Sequence, residues 1–420
     1  MKKDKGITLV ALSVTIIILI ILAGVTVGAA LNNNGVIEQA KGARNSVEGQ
    51  DTEIQEEMNS IYFTMTGSMQ EDWKDSVKEV KDGVPIPKGY YYVGGTKDTG
   101  LVISDSSSDK NAINFTAADG LEGNQWVWVP VDASTLAGMY ETASSPIAIT
   151  GGSGKTYISG VETSKYSKSG IISGKTRVLP NDTSSYREPD VVVGSSGEEY
   201  DAVESNRATA GFTKTENGTT TTMTLSEMAK TMVNEYETML ASIKKYGGFY
   251  IGRYELTANG EKPGPALTKS SWYTLYGKCK ELEASEKVQT RMMWGCQWDV
   301  TCNWIASTNS DKSITDSRSW GNYKDSISPA NTGNYEQGVK KDTGSNEAWK
   351  ANNIYDFAGN CWEWTQEAFS TLNRALIGGD CSGNGSRSQA TDRYGSKPTN
   401  SYYSVGRFPF HFNSTTVRGA

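Results

Sequence analysis

Histidine is almost absent from this sequence, because His411 is the only one among 420 residues. A facial-triad iron site requires two histidines, and Ser-His-Asp chemistry requires a histidine beside an activated serine. The Gly-x-Ser-x-Gly motif that would mark such a serine does not occur in the chain. Histidine-dependent metal chemistry and nucleophilic catalysis are therefore not expected.

Positive charge and cysteine are also scarce. The formal net charge is -7 and Lys and Arg do not cluster, which argues against nucleic acid as a partner. The five cysteines include no CxxC pair, and two of them, Cys296 and Cys302, lie six positions apart on one predicted helix. Their side chains are therefore about 600° apart in rotation and point in different directions. A disulfide between loop cysteines is permitted outside the cell, but buried small hydrophobes are the default interpretation.

A long apolar run occurs at the N-terminus, from Ile7 to Ala30, after a basic leader at residues 1–6. About 24 helical residues would extend roughly 36 Å, which is enough to cross a bilayer. The basic leader predicts a cytoplasmic N-terminus, with the rest of the chain outside the membrane at the bacterial cell surface.

The segment Lys5-Gly6-Ile7-Thr-Leu-Val-Ala-Leu-Ser resembles a type IV prepilin leader. The resemblance implies cleavage after Gly6 by a prepilin peptidase and methylation of Ile7. The glutamate that such pilins carry at the fifth mature position is Ala11 here, which argues against assembly with other pilins into a homopolymer. A plain single-span anchor is the alternative. Residues 31–72 follow as a stalk helix or a solvated spacer.

The remaining pattern predicts an α+β fold. Short apolar strands between Gly, Asp and Ser turns indicate a first β part at residues 73–131. Residues 132–222 are rich in Gly, Ser, Thr and Lys, and we predict a polar insertion there. A helix is predicted from Thr224 to a glycine cap at Gly247, and two more at about 272–282 and 295–305.

The stretch from Asn353 to Trp364, followed by the glycine pair Gly378-Gly379, resembles the signature of formylglycine-generating-enzyme (sulfatase-modifying factor) domains. Further landmarks occur upstream in family order, at residues 247–255, 271–279 and 291–299. The resemblance implies a C-type-lectin-like domain with its core at residues 223–412, followed by a tail at 413–420.

The related enzymes bind copper through two reactive cysteines that follow the glycine pair. Only Cys381 follows that pair in this chain. One thiol cannot form a two-coordinate copper site, so copper is not expected. We predict that the protein is not an enzyme.

The same resemblance implies a calcium site on the signature turn. Its ligands would be the side chains of Asp356 and Glu363 and the main-chain carbonyls of Gly359 and Cys361. Oxygen ligands on a tight turn suit a hard cation. The alternative is that Glu363 is hydrogen-bonded to backbone or to an arginine, with the two flanking tryptophans as packing.

Ligand binding is the predicted function of the segment after the glycine pair, which forms an exposed surface in this branch of the fold. Its mixture of Ser, Gly, Asn and Tyr suits adaptable recognition. The candidate ligand-binding residues are Ser382, Asn384, Ser386, Arg387, Tyr394, Tyr402 and Tyr403. The equivalent stretch carries the hypervariable positions in variable proteins of diversity-generating retroelements, which this chain resembles. A merely polar loop is the alternative.

The sequence therefore predicts a membrane-anchored, pilin-like surface protein whose non-catalytic head binds an extracellular protein or glycan. Diversification of the binding loop, as in a variable protein, is one form of this function. The alternatives are a structural subunit of a type IV pilus or pseudopilus and, in a different class, a formylglycine-generating-type oxidase.

Overall fold

A computed structural model describes residues 73–114, 121–132, 136, 191–194, 197–282, 285–370 and 372–401, together with the backbone of strands at 147–150, 156–161, 404–405 and 410–412. Several predictions lie outside these residues: processing at Gly6 and Ile7, the span at 7–30, the stalk at 31–72, the residues Tyr402 and Tyr403, and the tail at 413–420. Within the described part of the chain, no helix combines the length and apolar character needed to cross a bilayer.

Strands outnumber helices, as expected for the predicted α+β class. The strands are β1 (Val77–Lys81), β2 (Val84–Pro87), β3 (Tyr91–Gly94), β4 (Val102–Ser104), β5 (Gln125–Pro130), β6 (Ile147–Thr150), β7 (Thr156–Val161), β8 (Thr213–Glu216), β9 (Thr219–Thr222), β10 (Gly248–Gly252), β11 (Val288–Thr290), β12 (Lys350–Ala351), β13 (Ile354–Tyr355), β14 (Trp362–Ala368), β15 (Arg374–Ile377), β16 (Arg393–Ser396), β17 (Ser404–Val405) and β18 (Phe410–Phe412). The α-helices are α1 (Glu204–Thr209), α2 (Leu225–Tyr246), α3 (Trp272–Cys279) and α4 (Gly295–Thr308). Short 3-10 helices occur at Ser107–Asp109, Tyr200–Ala202, Lys280–Leu282, Ser317–Ser319 and Glu347–Trp349.

The largest sheet has six antiparallel strands in the order β11-β18-β10-β5-β4-β3. The last strand, β18, lies between β10 and the edge strand β11, so the chain returns to this sheet after forming the second one. Strand β5 is buried along five of its six residues, because it is central in the sheet and its side chains are mostly valine and tryptophan. Strands β3, β4 and β5 of this sheet lie within the first β part that was predicted at residues 73–131.

A second sheet carries the signature segment. Its strand order is β16-β15-β14-β17, and β14 pairs with β17 in parallel and with β15 in antiparallel register. Glu363 on β14 pairs with Ile377 on β15, so the glutamate and the glycine pair that follows Ile377 lie at the same end of the sheet. The register therefore brings together the two parts of the sequence signature.

Helix α2 is built as the sequence predicts. The Thr224 side chain accepts from the Glu227 amide, and the Glu227 carboxylate accepts from the Thr224 amide, which together form a capping box. Gly247 ends the helix in the left-handed conformation, with φ of 78°. The methionines that recur along α2 are buried in the hydrophobic core, which confirms their predicted role.

The later part of the segment predicted as a polar insertion contributes to the core. Tyr200 and Phe212 are buried with the residues of α2 and α3. Asp201 is fully buried, where it accepts from Arg374 at 2.6 Å and from the hydroxyl of Tyr273 at 2.7 Å. This ion pair joins residues 173 positions apart and fixes the segment to the second sheet.

Candidate ligand-binding site

The signature turn has an unusual concentration of left-handed backbone conformations. Asn352, Asn353, Asp356, Gly359 and Asn360 all have positive φ, between 48° and 77°. Asn, Asp and Gly are the residue types that adopt this conformation at least cost. The composition of the stretch is therefore explained by its backbone path, which requires these residues whether or not a ligand binds.

A buried carboxylate holds the end of this turn. Glu255, three residues after β10, accepts from Asn360 Nδ2 at 2.6 Å and from the Cys361 amide at 3.0 Å. The other side of the Asn360 amide accepts from Asn322 Nδ2 at 2.9 Å and from the Lys341 amide at 3.0 Å. Hydrogen bonds to an ionised carboxylate are stronger than neutral ones, so Glu255 is the main anchor of the turn. No role was predicted for Glu255, although a glutamate shortly after a buried aromatic strand was the available signal.

Glu363 is fully buried next to Gly378, the first residue of the glycine pair. A Cβ atom added to Gly378 would lie 2.6 Å from Glu363 Oε2 and 3.1 Å from Trp298 Cζ2, so only glycine fits there. The hydroxyl of Tyr323 donates to the Gly378 carbonyl at 2.7 Å. Burial raises the pKa of Tyr323 well above its usual range, and the negative charge of Glu363 raises it further. The Glu363 carboxylate therefore lies directly against the Gly378 backbone and is not exposed to a ligand in solvent.

The predicted calcium ligands are carboxylate and carbonyl oxygens, which suit a hard cation. Asp356 and Glu363 are both buried, and the Gly359 and Cys361 carbonyls lie on the same turn. Asp356 Oδ2 accepts from the Thr343 hydroxyl at 2.8 Å and from the Gly344 amide at 3.0 Å. Among the described residues, no group of three or more His, Cys, Asp or Glu side chains is placed to hold a metal ion. Calcium binding stays a prediction.

The loop after the glycine pair presents several of the predicted ligand-binding residues to solvent. Ser382, Ser386 and Arg387 are exposed, and Asn384 is half-buried. Their backbone turns back on itself, because the amides of Arg387 and Ser388 both donate to the Asn384 carbonyl, at 2.9 and 2.8 Å. The structure thus brings these four side chains together on one loop.

Two aspartates hold this loop in place. Asp380 Oδ1 accepts from the Ser382 amide at 3.0 Å and from its hydroxyl at 2.8 Å. Asp325, from a different loop, accepts from the Gly385 amide at 2.8 Å and from Asn384 Nδ2 at 3.2 Å. The sequence analysis named neither aspartate. No local pattern identifies them, since Asp325 acts on residues about 60 positions away.

Tyr394 lies outside this loop, on strand β16. Its side chain is 60% exposed, and its ring centroid is 6.0 Å from that of the half-buried Trp362. The two rings form an aromatic patch at the edge of the second sheet. Since Tyr402 and Tyr403 lie outside the described residues, their place relative to this patch stays a prediction.

The thiols near the site are poor nucleophiles at neutral pH. Burial, and then the charge of Asp380, raises the pKa of Cys381 to about 11. Burial raises the pKa of Cys361 well above its usual range. Both are free thiols, and a protonated thiol neither attacks a substrate nor binds a metal readily. His411, on β18, pairs with Gln289 of β11 in the ladder of the first sheet.

Comparisons with known proteins give only partial similarities. No protein-family model matches the sequence, and no curated protein matches it. Among solved structures, variable protein 1 of Treponema denticola is similar, with 14% sequence identity, 39% of this chain and 84% of that chain covered, and a TM-score of 0.29. PvdO from Pseudomonas aeruginosa is similar with 15% identity, 40% of this chain and 81% of that chain covered, and a TM-score of 0.29. Both alignments leave more than half of this chain unmatched.

Proposed function

We propose that this chain is a membrane-anchored surface protein whose head is a C-type-lectin-like domain of the formylglycine-generating-enzyme type that binds an extracellular protein or glycan. In this proposal residues 7–30 form the anchor and residues 31–72 the stalk, after processing at Gly6 and Ile7 by a prepilin peptidase. The head begins near Trp73, and its binding surface is the loop at 380–388 with the aromatic patch beside it.

The observation that carries the proposal is that the residues that hold the loop backbone differ from those whose side chains are exposed. Asp380 and Asp325 hold its backbone, whereas the side chains of Ser386 and Arg387 are directed to solvent. A fixed backbone with exposed, exchangeable side chains is the arrangement that serves recognition, because substitution changes the surface without unfolding its support. The same property would allow a diversified loop, as in a variable protein.

A lectin-like topology for the head is supported by the path of the chain. The last strand, β18, returns between β10 and β11, and the signature segment lies in a separate sheet with β15 and β16. The loop at 380–388 leaves the second sheet after β15 and returns to it at β16. A loop held at both ends by adjacent strands is well placed to act as a rigid recognition surface.

A binding function is favoured over the oxidase because the thiol chemistry is absent from the proposed surface. The raised pKa of Cys381 keeps this thiol protonated, and copper is not expected. The structural alternative, a pilus or pseudopilus subunit, requires no exposed recognition loop.

The binding proposal predicts that three exposed side chains carry much of the affinity. The full chain would be applied to arrays of extracellular proteins and glycans beside the variant Ser386→Ala, Arg387→Ala, Tyr394→Ala. Aromatic and arginine side chains dominate most binding surfaces, so we expect the variant to lose about tenfold or more in affinity at every spot that the parent binds.

The matched control is Lys97→Ala with Asp98→Ala, which removes an exposed ion pair on a different loop. This control should bind as the parent does. Equal binding by all three proteins would contradict the proposed surface. If the full chain bound nothing on the array and the purified chain formed filaments in electron micrographs, the structural subunit would be favoured.

The calcium prediction has its own test. Calcium would be held by the carboxylates of Asp356 and Glu363 and the carbonyls of Gly359 and Cys361, where it would bind the native state alone. At a calcium concentration 100 times its Kd, such binding stabilises by about 2.7 kcal/mol, so the melting temperature of the chelated full chain should rise on calcium addition. Glu363→Gln keeps the shape but removes a charged ligand, and the rise should then be much smaller. A rise of equal size in this variant would place the ion elsewhere.

A further inference from the structure

Two of the five cysteines lie on adjoining backbone segments. The Cys381 amide donates to the carbonyl of Asn360, the residue before Cys361, with an N–O distance of 3.1 Å. Covalent geometry on either side of this hydrogen bond keeps the Cα atoms of Cys361 and Cys381 within about 7 Å of each other. Disulfides span Cα distances of roughly 4.4–6.8 Å, so the backbone is compatible with a bridge.

The two side chains also share their surroundings. Cys361 packs against Ala266, whose carbonyl accepts from Lys340 Nζ at 3.4 Å. The charges of Glu255 and Lys340 act on both thiols, and the charge of Cys381 acts on Cys361. Both thiols are free, with Cys361 buried and Cys381 half-buried. Cys381 is therefore the more exposed of the two residues.

The other three cysteines are enclosed elsewhere in the core. Each is fully buried and has its sulfur near an oxygen of a neighbouring residue: Cys279 with the Tyr276 carbonyl at 2.7 Å, Cys296 with the Tyr236 hydroxyl at 3.1 Å, and Cys302 with the Ala390 carbonyl at 4.0 Å. They provide an internal comparison, because a reagent that acts on the folded protein should leave them unchanged.

We propose that Cys361 and Cys381 are a disulfide-forming pair, closed by exchange with a low-molecular-weight disulfide. Exchange is slow at neutral pH, because the raised pKa leaves only a small ionised fraction of Cys381. That fraction attacks the small disulfide, whose S–S bond breaks and releases one thiolate. Cys361 then loses its proton and attacks the Cys381 sulfur, which breaks the mixed disulfide and releases the second thiolate. The protein loses two protons and two electrons, and the small disulfide is reduced to two thiols.

The bridge would join the signature turn to the first residues of the binding loop. Cys361 directly precedes β14, and Cys381 lies between the Asp380 that holds the loop and the exposed Ser382. The cross-link would limit the movement of the loop relative to the turn and raise the melting temperature of the oxidised protein. It does not depend on the identity of the ligand or on whether the loop binds one.

The test is a peptide map of the full chain after incubation with oxidised glutathione and blocking of remaining thiols. Trypsin cleaves after Lys350, Arg374 and Arg387, so it places the two cysteines in separate peptides, 351–374 and 375–387. We expect these peptides to be joined, with a mass two hydrogens below their sum, and Cys279, Cys296 and Cys302 to carry the blocking group, which shows that they were not oxidised.

Two comparisons make the test decisive. Cys279→Ser should leave the cross-link unchanged, whereas Cys381→Ser should abolish it and leave Cys361 free. In denaturant the cross-links should spread over all five cysteines, which shows that the native fold selects the pair. Recovery of peptide 375–387 from folded protein as a lasting glutathione adduct, with free Cys361, would overturn the proposal.

Discussion

Replacing Arg393 with alanine is expected to lower the free energy of unfolding by about 3–5 kcal/mol, because it leaves buried carboxylates without their cation. Arg393 Nη2 lies 2.7 Å from Asp299 Oδ1 on α4, and its Nε lies 3.1 Å from Glu367 Oε2 on β14. The side chains of all three residues are fully inaccessible to solvent. This cluster joins α4 to strands β14 and β16 of the second sheet by charged contacts.

The direction in which the pKa of Arg393 shifts shows whether burial or the two neighbouring carboxylates have the larger effect. Burial alone would lower the pKa, since a charged group loses its hydration. The charges and hydrogen bonds of Asp299 and Glu367 outweigh burial and raise the pKa, so the guanidinium stays charged. Removing the arginine reverses this balance: the two carboxylates must then be buried without the arginine charge or take up protons, and either outcome costs free energy.

Chemical unfolding of the full chain, followed by tryptophan fluorescence, would measure the effect. Arg387→Ala is the matched control, because Arg387 is exposed and only six residues away, and it should change stability by less than about 0.5 kcal/mol. The variant Arg393→Met with Asp299→Asn and Glu367→Gln removes all three charges and should recover much of the loss. If Arg393→Ala were as mild as Arg387→Ala, the cluster would contribute little.

Local signals in the sequence were sufficient for some of the individual elements. Helix α2 was predictable because its methionines recur every three or four residues, between a capping-box threonine and a glycine cap. Strands β4 and β5 were predictable from short apolar runs bounded by Gly and Asp. The order of the landmarks at residues 247–255, 271–279 and 291–299 came from the resemblance and not from local signals.

Long-range polar contacts could not be predicted in the same way. Arg393 looked like one more polar residue after the binding loop, because its partner Asp299 is 94 positions away. The Arg374–Asp201 pair was hidden in a segment that composition marked as insertion. Such pairs form only where the tertiary structure brings distant segments together. The periodicity of the sequence does not show which segments those are.

The residues of the candidate site show the same difference between local signals and long-range contacts. Exposure of Ser382, Ser386 and Arg387 was expected from the resemblance, whereas the carboxylates that hold the loop and the turn were missed. Glu255, Asp325 and Asp380 act on backbone amides, so their role depends on turn geometry and not on a motif. The surface of the site was therefore easier to predict than its support.

Replacing Gly359 with alanine is expected to destabilise the signature turn strongly. An added Cβ would lie 2.3 Å from the main-chain oxygen of Asn322, and backbone cannot move aside as a flexible side chain can. The left-handed conformation, with φ of 77°, costs an L-residue about 1–2 kcal/mol, and overpacking adds about 1–3 kcal/mol. The free energy of unfolding should therefore fall by about 2–5 kcal/mol in total.

Gly247→Ala separates the two causes, because Gly247 has nearly the same φ, 78°, but no atom lies within 4 Å of an added Cβ. It should show only the conformational cost, about 1–2 kcal/mol. The difference between the variants, from chemical unfolding under identical conditions, then measures the close approach between the turn and the Asn322 segment. Because that segment continues to Asp325, which holds the binding loop, Gly359→Ala should also weaken ligand capture while Gly247→Ala should not. Equal losses of stability would mean that the turn moves away from Asn322 freely, and the turn could not then act as the fixed support of the loop.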